Sequence, residues 1–275
     1  MYREALIIIS SLIAFGIAGW CHENDEPVYQ GIPLTTLLQH AALPSIPHSL
    51  KPGKHEGSSL STADAETAIR TIGTNALPYL VKMIRDEPPA RARLAANGFR
   101  LLGPTASPAI PGLESAAQRS DSRESCLEAI LALRFIGTNA LPALGRLCTN
   151  SNARDVAVGA VMEMGAKGAS IQPFSAEILG PGDASTERAI QGLRNFQPAN
   201  AIPILTNALQ NPNAHVRKLT VEVIRQFGVQ ARPAVPALTE RLYDKDEHVR
   251  QATIDLLRGL APEMFVTNTP AHGAH

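Results

Sequence analysis

The chain has 275 residues, of which 44% are hydrophobic and only 4% are aromatic. Lys and Arg together number 25, as do Asp and Glu, so the formal net charge is zero. A neutral balance argues against nucleic acid as a partner and against a general affinity for anionic membranes. A chain of this length holds one or two globular domains or a single array of repeats.

The N-terminal segment is typical of an export signal. Ala5–Gly19 is a run of fifteen residues without a charge, and Arg3 precedes it. This length suits a signal peptide and is short of the ~20 residues of a membrane-spanning helix. Small residues at Gly16 and Ala18 offer a cleavage site, although an uncleaved membrane anchor is the alternative. Both interpretations of residues 1–21 predict an exported protein that is periplasmic, extracytoplasmic or membrane-anchored.

Residues 22–60 predict a short helix followed by a flexible linker. Pro27–His40 has the pattern of a short amphipathic helix that could cap a repeat array. Leu43–Ser59 is rich in Pro, Ser, Gly, Lys and His, which is typical of a linker. The C-terminal residues 263–275 have a similar composition and are predicted to be a disordered tail.

The middle of the chain is repetitive. The heptapeptide Ile-Gly-Thr-Asn-Ala-Leu-Pro occurs at Ile72–Pro78 and again at Ile136–Pro142. Its proline recurs at intervals of 30, 34, 31, 30 and 30 residues, at Pro78, Pro108, Pro142, Pro173, Pro203 and Pro233. Self-similarity at this period indicates a solenoid. We therefore expect one repeat domain over residues 61–262.

Each copy has the pattern of two antiparallel helices. In Asn211–Tyr243, apolar residues first fall at helical spacing, then a glycine follows, and a second helical segment begins near the proline. Gly73 and Gly137 are predicted to end first helices, and Asn75 and Asn139 to N-cap the second helices. Proline fits the first turn of a helix, where its missing N–H has no partner to lose.

These motifs resemble the HEAT-repeat family in its short, exported or membrane-anchored bacterial form. They are Gly-Thr-Asn-Ala-Leu-Pro-Ala-Leu at Gly137–Leu144 and the Val-Arg pairs at Val216 and Val249. The resemblance implies an all-α, right-handed solenoid of about six helical hairpins, with one helix of each pair on a concave face. The fourth copy departs from the pattern over Gly165–Pro173, where extra residues precede the proline, and we expect an irregularity there.

Arginine stands three positions before the end of nearly every first helix. The series is Arg70, Arg100, Arg134, Arg194, Arg225 and Arg258. These residues are candidate donors to an acidic or phosphorylated partner. The preferred explanation is that they are cations that complement the helix dipole in the last turn, because the same site recurs in nearly every repeat. Leu127 and Leu131 precede Arg134 on the same helix face, and they are either core residues or an apolar anchor for a partner peptide.

Cys126 and Cys148 fall at the same level of one predicted hairpin. In an oxidising compartment a disulfide between them is conceivable. Helix axes pack about 8–10 Å apart, whereas a disulfide needs Cα atoms within about 7 Å. The alternative interpretation is a pair of buried core thiols.

No compact catalytic motif stands out, and the pattern calls for no cofactor or metal. The HEAT-like hydroxylases bind iron through His-Glu pairs, which here lie outside the repeats, at His22 and His55. We therefore interpret the chain as a monomeric, non-catalytic scaffold that binds protein partners at the cell envelope through the concave face of its solenoid. The alternative is a HEAT-like enzyme or accessory subunit, similar to a phycobilisome lyase, with dispersed active residues.

Overall fold

A computed structural model of the chain describes residues 26–41, 60–86, 88–119 and 122–265. Within these ranges nearly all of the secondary structure is helical, which confirms the predicted all-α class. No helix in the described ranges is both long enough and apolar enough to cross a bilayer. The predicted export segment Ala5–Gly19 and the predicted linker Leu43–Ser59 lie outside the described residues.

The chain divides into two compact units, Met1–Ala109 and Ile110–His275. The first unit begins with a small hairpin of strands β1 (Val28–Tyr29) and β2 (Ile32–Pro33). Gln30 and Gly31 form its turn with φ of 49° and 82°, as a two-residue hairpin turn with two positive φ angles requires.

The helix predicted over Pro27–His40 is therefore shorter than expected. Only Leu34–His40 is helical, as α1, because the hairpin takes up the preceding residues. Leu34, Leu37 and Leu38 of α1 are fully buried against the rest of the unit. This segment belongs to the folded unit, and not to a linker.

The other helices of the first unit are α2 (Thr62–Ile72), α3 (Leu77–Asp86) and α4 (Pro89–Leu102). Helix α1 packs against α2 and α4. Asn97 of α4 donates a 3.1 Å hydrogen bond to the carbonyl of Ala41 and so ties the end of α1 in place. At Gly98 an added Cβ would lie 3.0 Å from Leu38 and from Leu80, so glycine permits this close packing.

The second unit contains ten α-helices among its described residues, in alternating first and second positions of the repeat. They are α5 (Ile110–Gln118), α6 (Arg123–Ile136), α7 (Leu141–Leu147), α8 (Arg154–Ala166), α9 (Ser175–Leu179), α10 (Ala184–Leu193), α11 (Pro198–Ala208), α12 (Ala214–Arg225), α13 (Val235–Arg241) and α14 (Glu247–Leu260). The first helices α6, α8, α10, α12 and α14 each contact the next one in this order. Their stacking forms one continuous core, as a repeat array requires.

Polar caps start five of the seven first helices in the described residues, and α4 and α8 are the two without one. Side chains of the N-cap residues accept hydrogen bonds from the backbone N–H groups of the first turn, which have no partner inside the helix. These residues are Ser61, Ser122, Asp183, Asn213 and Asp246. Ser61 and Asp64 form a reciprocal capping box.

The junctions inside the two identical heptapeptides differ in part from the prediction. Gly73 and Gly137 end first helices with φ of 59° and 91°, a region that favours glycine. Asn75 and Asn139 do not cap second helices as predicted. They lie within the 3₁₀ turns Gly73–Ala76 and Thr138–Ala140, which join the two helices directly. Because the chain is helical from the residue after each glycine into the second helix, neither asparagine has the extended backbone of an N-cap.

The prolines also vary in position. Pro78 and Pro142 lie in the first turns of α3 and α7, as predicted. Pro108 and Pro233 lie in the 3₁₀ stretches Gly103–Ala109 and Gly228–Ala234. Pro203 lies inside α11, because that helix already begins at Pro198.

The irregular fourth copy is confirmed. Its second helix α9 has only five residues, Ser175–Leu179, and the 3₁₀ turn Gln172–Phe174 precedes it. At the C-terminal end of the described residues, Pro262–Phe265 forms a 3₁₀ turn that packs on α14, and the remainder of the predicted tail, from residue 266, lies outside the described residues.

Candidate protein-binding groove

A groove of about 450 Å³ runs between the first helices α6 and α8 of the second unit. Helix α6 contributes Leu127, Glu128, Ile130, Leu131 and Arg134, and α8 contributes Val156, Gly159, Ala160 and Glu163. The structure therefore brings together Leu127, Leu131 and Arg134, which the sequence singled out as a partner-binding patch.

Small side chains on α8 make room for the groove. A Cβ added to Gly159 would meet no heavy atom within 4 Å, so the space opposite the leucines of α6 is open. Ile130 forms a buried floor, whereas Leu127 keeps 39% of its surface exposed and Leu131 is half-buried. Leu127 and Leu131 thus offer apolar surface that the described part of the chain does not cover.

One end of the groove is polar. Arg134 of α6 forms an ion pair with Glu163 of α8, and Lys167 donates a 2.7 Å hydrogen bond to the same carboxylate. The Arg134 guanidinium also lies 5.4 Å from the centroid of the Phe135 ring. The hydrogen bond from Lys167 is the largest effect on the pKa of Glu163, and with Arg134 it outweighs burial and lowers that pKa. Glu163 therefore stays ionised at neutral pH.

A second concavity of about 370 Å³ continues beyond this ion pair. It is lined by Gly137 and Thr138 after α6 and by Met164, Lys167, Gly168 and Ala169 at the end of α8. Arg134 and Glu163 line both concavities and so separate them. Along α6 and α8 the surface is therefore apolar at Leu127 and Leu131 and charged at Arg134, Glu163 and Lys167.

Two members of the arginine series lie in the first unit and make local contacts. Arg70 pairs with Glu66 one turn earlier on α2, at 3.2 Å. Arg100 Nε donates a 2.8 Å hydrogen bond to Asn97 Oδ1 on α4. These contacts within one helix agree with a role in the repeat itself.

Three further members end consecutive first helices of the second unit. Arg194 is the exposed C-cap of α10. Arg225 of α12 is exposed and reaches the carbonyl of Ala252 on α14 at 3.3 Å. Arg258 of α14 lies 5.9 Å from the centroid of the Phe265 ring. We call Arg194, Arg225 and Arg258 the arginine row.

Different arginines hold the repeats together. One of them belongs to the Val-Arg pairs of the family motif. Arg217, of a Val-Arg pair on α12, makes two hydrogen bonds of 2.8 and 2.7 Å to Asp244 of the next repeat. Its Nη1 donates to the carbonyls of Asn211 and Pro212. Hydrogen bonding to Asp244 raises the pKa of Arg217 further.

Arg154 has the same role in the irregular fourth copy. It donates to Asp183 at 2.7 Å and to the carbonyls of Cys148, Glu177 and Ile178, which include the free carbonyls that end α9. The hydrogen bond from Arg154 is the main reason why the pKa of Asp183 is lowered to about 2. In the sequence, the only sign of this role is Asp183, an acidic residue near the start of the next repeat.

Cys126 and Cys148, the candidate disulfide pair, are free and buried in the structure. Burial raises the pKa of the Cys148 thiol to about 12 and raises that of Cys126 as well. Both thiols are therefore unreactive core groups at neutral pH. Among the residues that the structure describes, no three His, Cys, Asp or Glu side chains are grouped so that they could hold a metal ion.

The stacked helical hairpins of the second unit define a helical-repeat fold. Residues 181–258, from just before α10 into α14, match the family model for HEAT repeats. Over this stretch the match confirms the resemblance to HEAT repeats that the sequence motifs carry. A search of curated proteins found no match.

Several solved structures show distant likeness. An engineered protein is 17% identical, with 84% of this chain and 68% of that chain covered and a TM-score of 0.32. A designed armadillo repeat protein in complex with the peptide (KR)4 is 15% identical, with coverages of 82% and 98% and a TM-score of 0.29. The complex of CpcE and CpcF of phycocyanin lyase from Nostoc sp. is 16% identical, with coverages of 80% and 99% and a TM-score of 0.33. Likeness at this level does not bear on what the present chain binds.

Proposed function

We propose that the protein is a non-catalytic scaffold that binds a segment of a partner protein in the groove between α6 and α8. The observation that carries the proposal is the exposed apolar surface of Leu127 and Leu131 opposite the open space at Gly159. Apolar side chains that are clustered in a concavity and edged by charges are the usual anchor points of a protein interface.

Arg134 and Glu163, at the charged end of the groove, fit binding better than catalysis. A general acid or base at neutral pH needs a pKa near 7. The pKa of Glu163 is instead lowered, chiefly by its hydrogen bond from Lys167. Arg134 is paired with that carboxylate. Such groups orient a partner and do not exchange protons with it.

A location of the protein at the cell envelope is part of the same proposal. The uncharged run Ala5–Gly19 after Arg3 supports export and a place at the cell envelope. Fractionation of cells that express the full chain tests this, and the mass of the recovered protein shows whether residues 1–21 remain. Recovery of the intact chain in the cytoplasmic fraction alone would contradict the envelope assignment.

We further propose that the scaffold is a monomer, which sedimentation of the purified chain tests.

A photo-reactive benzoylphenylalanine at Leu131 tests the binding site. We expect cross-links in cells to one recurring protein from this position, and none to that protein from the same group placed at Val229. Val229 is a suitable control because it is 75% exposed and lies in the 3₁₀ stretch after α12, away from the groove.

Filling the groove is the matched second test. Gly159→Leu places a side chain in the open space and should abolish the cross-link. Gly259→Leu, at another helical glycine with no heavy atom near its Cβ position, should leave the cross-link unchanged. A cross-link from Leu131 that survives Gly159→Leu would show that the groove is not the binding site.

A further inference from the structure

The first helices of the second unit run side by side in the same direction. In the first turns, Ser185 of α10 lies 3.3 Å from Asp155 of α8, and His215 of α12 lies 3.7 Å from Glu187 of α10. At the other end, Arg134 near the end of α6 pairs with Glu163 near the end of α8. The C-terminal ends of these helices therefore share one edge of the stack.

The arginine row lies along this edge and carries positive charge that the neighbouring acids do not fully offset. Arg194 and Arg225 are exposed, and the side chain of Arg258 is 64% exposed. Glu222, one turn before Arg225, faces Lys218 at 3.4 Å. Asp255, one turn before Arg258, lies 3.9 Å from that arginine and also accepts a 3.0 Å hydrogen bond from Gln251.

The spacing of the row suits an extended peptide. Packed helices lie about 8–10 Å apart, so the guanidinium groups on neighbouring helices repeat at about that distance. An extended chain advances about 3.3 Å per residue, and every third side chain therefore recurs at about 10 Å. A peptide that crosses the helices can place one side chain on each arginine in turn.

We infer that the groove and the arginine row together bind an extended acidic segment of the partner protein. Apolar side chains of this segment enter the groove at Leu127 and Leu131. Carboxylates at every third position then meet Arg194, Arg225 and Arg258. The inference rests on the proposed function, because it assigns a chemical class of partner to the same groove.

Fluorescence anisotropy with the purified full chain tests the inference. The probe is a labelled peptide of twelve residues that has two leucines near one end and three glutamates spaced by three positions. Versions with glutamine or lysine at those three positions are the controls, and each is made in both chain orders. We expect one order of the glutamate peptide to bind at least about threefold more tightly than the glutamine version, because three exposed ion pairs contribute about 0.2–1 kcal/mol each, and the lysine version to bind most weakly.

Substitution of the row separates specific pairing from general charge. An exposed ion pair contributes about 0.2–1 kcal/mol, so each Arg→Gln change should weaken binding by about 1.5- to 5-fold. If the three effects multiply, the triple variant of Arg194, Arg225 and Arg258 should lose about 3- to 125-fold in affinity, and the loss should shrink as salt screens the charges. Arg232→Gln, at an exposed arginine in the 3₁₀ stretch after α12, should have no such effect.

The possible results distinguish this inference from the proposed function. Equal binding of the glutamate and glutamine peptides, or an unchanged triple variant, would overturn the acidic partner. If Gly159→Leu still abolished the cross-link from Leu131, the groove would keep its function with a partner of different charge. Self-association of the chain that Gly159→Leu abolishes would overturn both the acidic segment and the monomeric scaffold, because the groove would then join two copies.

Discussion

Removal of the carboxylate that joins two repeats is the most informative test of how the second unit holds its shape. The side chain of Asp244 is 2% exposed and that of Arg217 is 11% exposed, so Asp244→Ala leaves a buried guanidinium without its counter-ion. The N–H of Asp246 also loses its 3.0 Å acceptor on Asp244. Breaking a buried pair from one side costs about 3–5 kcal/mol.

Arg217 keeps its two hydrogen bonds to the carbonyls of Asn211 and Pro212 in this variant. We therefore expect Asp244→Ala to lower the free energy of unfolding by about 3 kcal/mol, the lower end of this range. Asp244→Asn should cost less, because an amide oxygen can still accept from Arg217 and Asp246. Urea unfolding followed by circular dichroism measures these differences in the free energy of unfolding.

Asp255→Ala is the control, because the side chain of Asp255 is 47% exposed and the expected cost is below about 0.5 kcal/mol. If Asp244→Ala cost no more than Asp255→Ala, the buried pair would not be what joins these repeats. An equal cost for Asp244→Asn and Asp244→Ala would show that the negative charge matters and the hydrogen bonds do not.

Three further predictions concern the interior and its charges. Gly165→Ala should lower the free energy of unfolding in urea by about 1–3 kcal/mol, because its Cβ would lie 2.6 Å from the Phe196 ring. Gly159→Ala meets no heavy atom and should raise it by about 0.5–1 kcal/mol. Equal effects of the two variants would contradict the packing. The pKa of Asp183 is about 2 when folded and about 3.9 when unfolded, so its ionised form stabilises fully above that value and less as pH falls towards 2. The stability lost in Asp183→Asn should therefore shrink between pH 5 and pH 2, and a constant loss would refute this. The Cys148 thiol, with its pKa of about 12, should resist iodoacetamide at pH 8 until urea is added, as mass spectrometry of its peptide would show; rapid labelling of the native chain would contradict its burial.

The sequence by itself determined the class of fold. The recurring glycine and proline mark each junction locally, since glycine admits positive φ and proline fits a first helical turn. The repeat period then predicts stacked hairpins, because one hairpin cannot bury its apolar face alone. Helical spacing likewise placed Leu127, Leu131 and Arg134 on one face of α6. It failed at Pro27–His40, where the hairpin turn at Gln30 and Gly31 replaces the first turns of the predicted helix.

Only the tertiary structure decided what lies opposite that face. The groove exists because α8, from the irregular copy, presents Val156, Gly159 and Ala160 to the leucines of α6. Its charged end exists because Glu163 of one repeat meets Arg134 of another. Helical periodicity fixes which residues share a face of one helix. Which two faces meet depends on how the repeats pack, because the distances that matter are between residues about thirty positions apart.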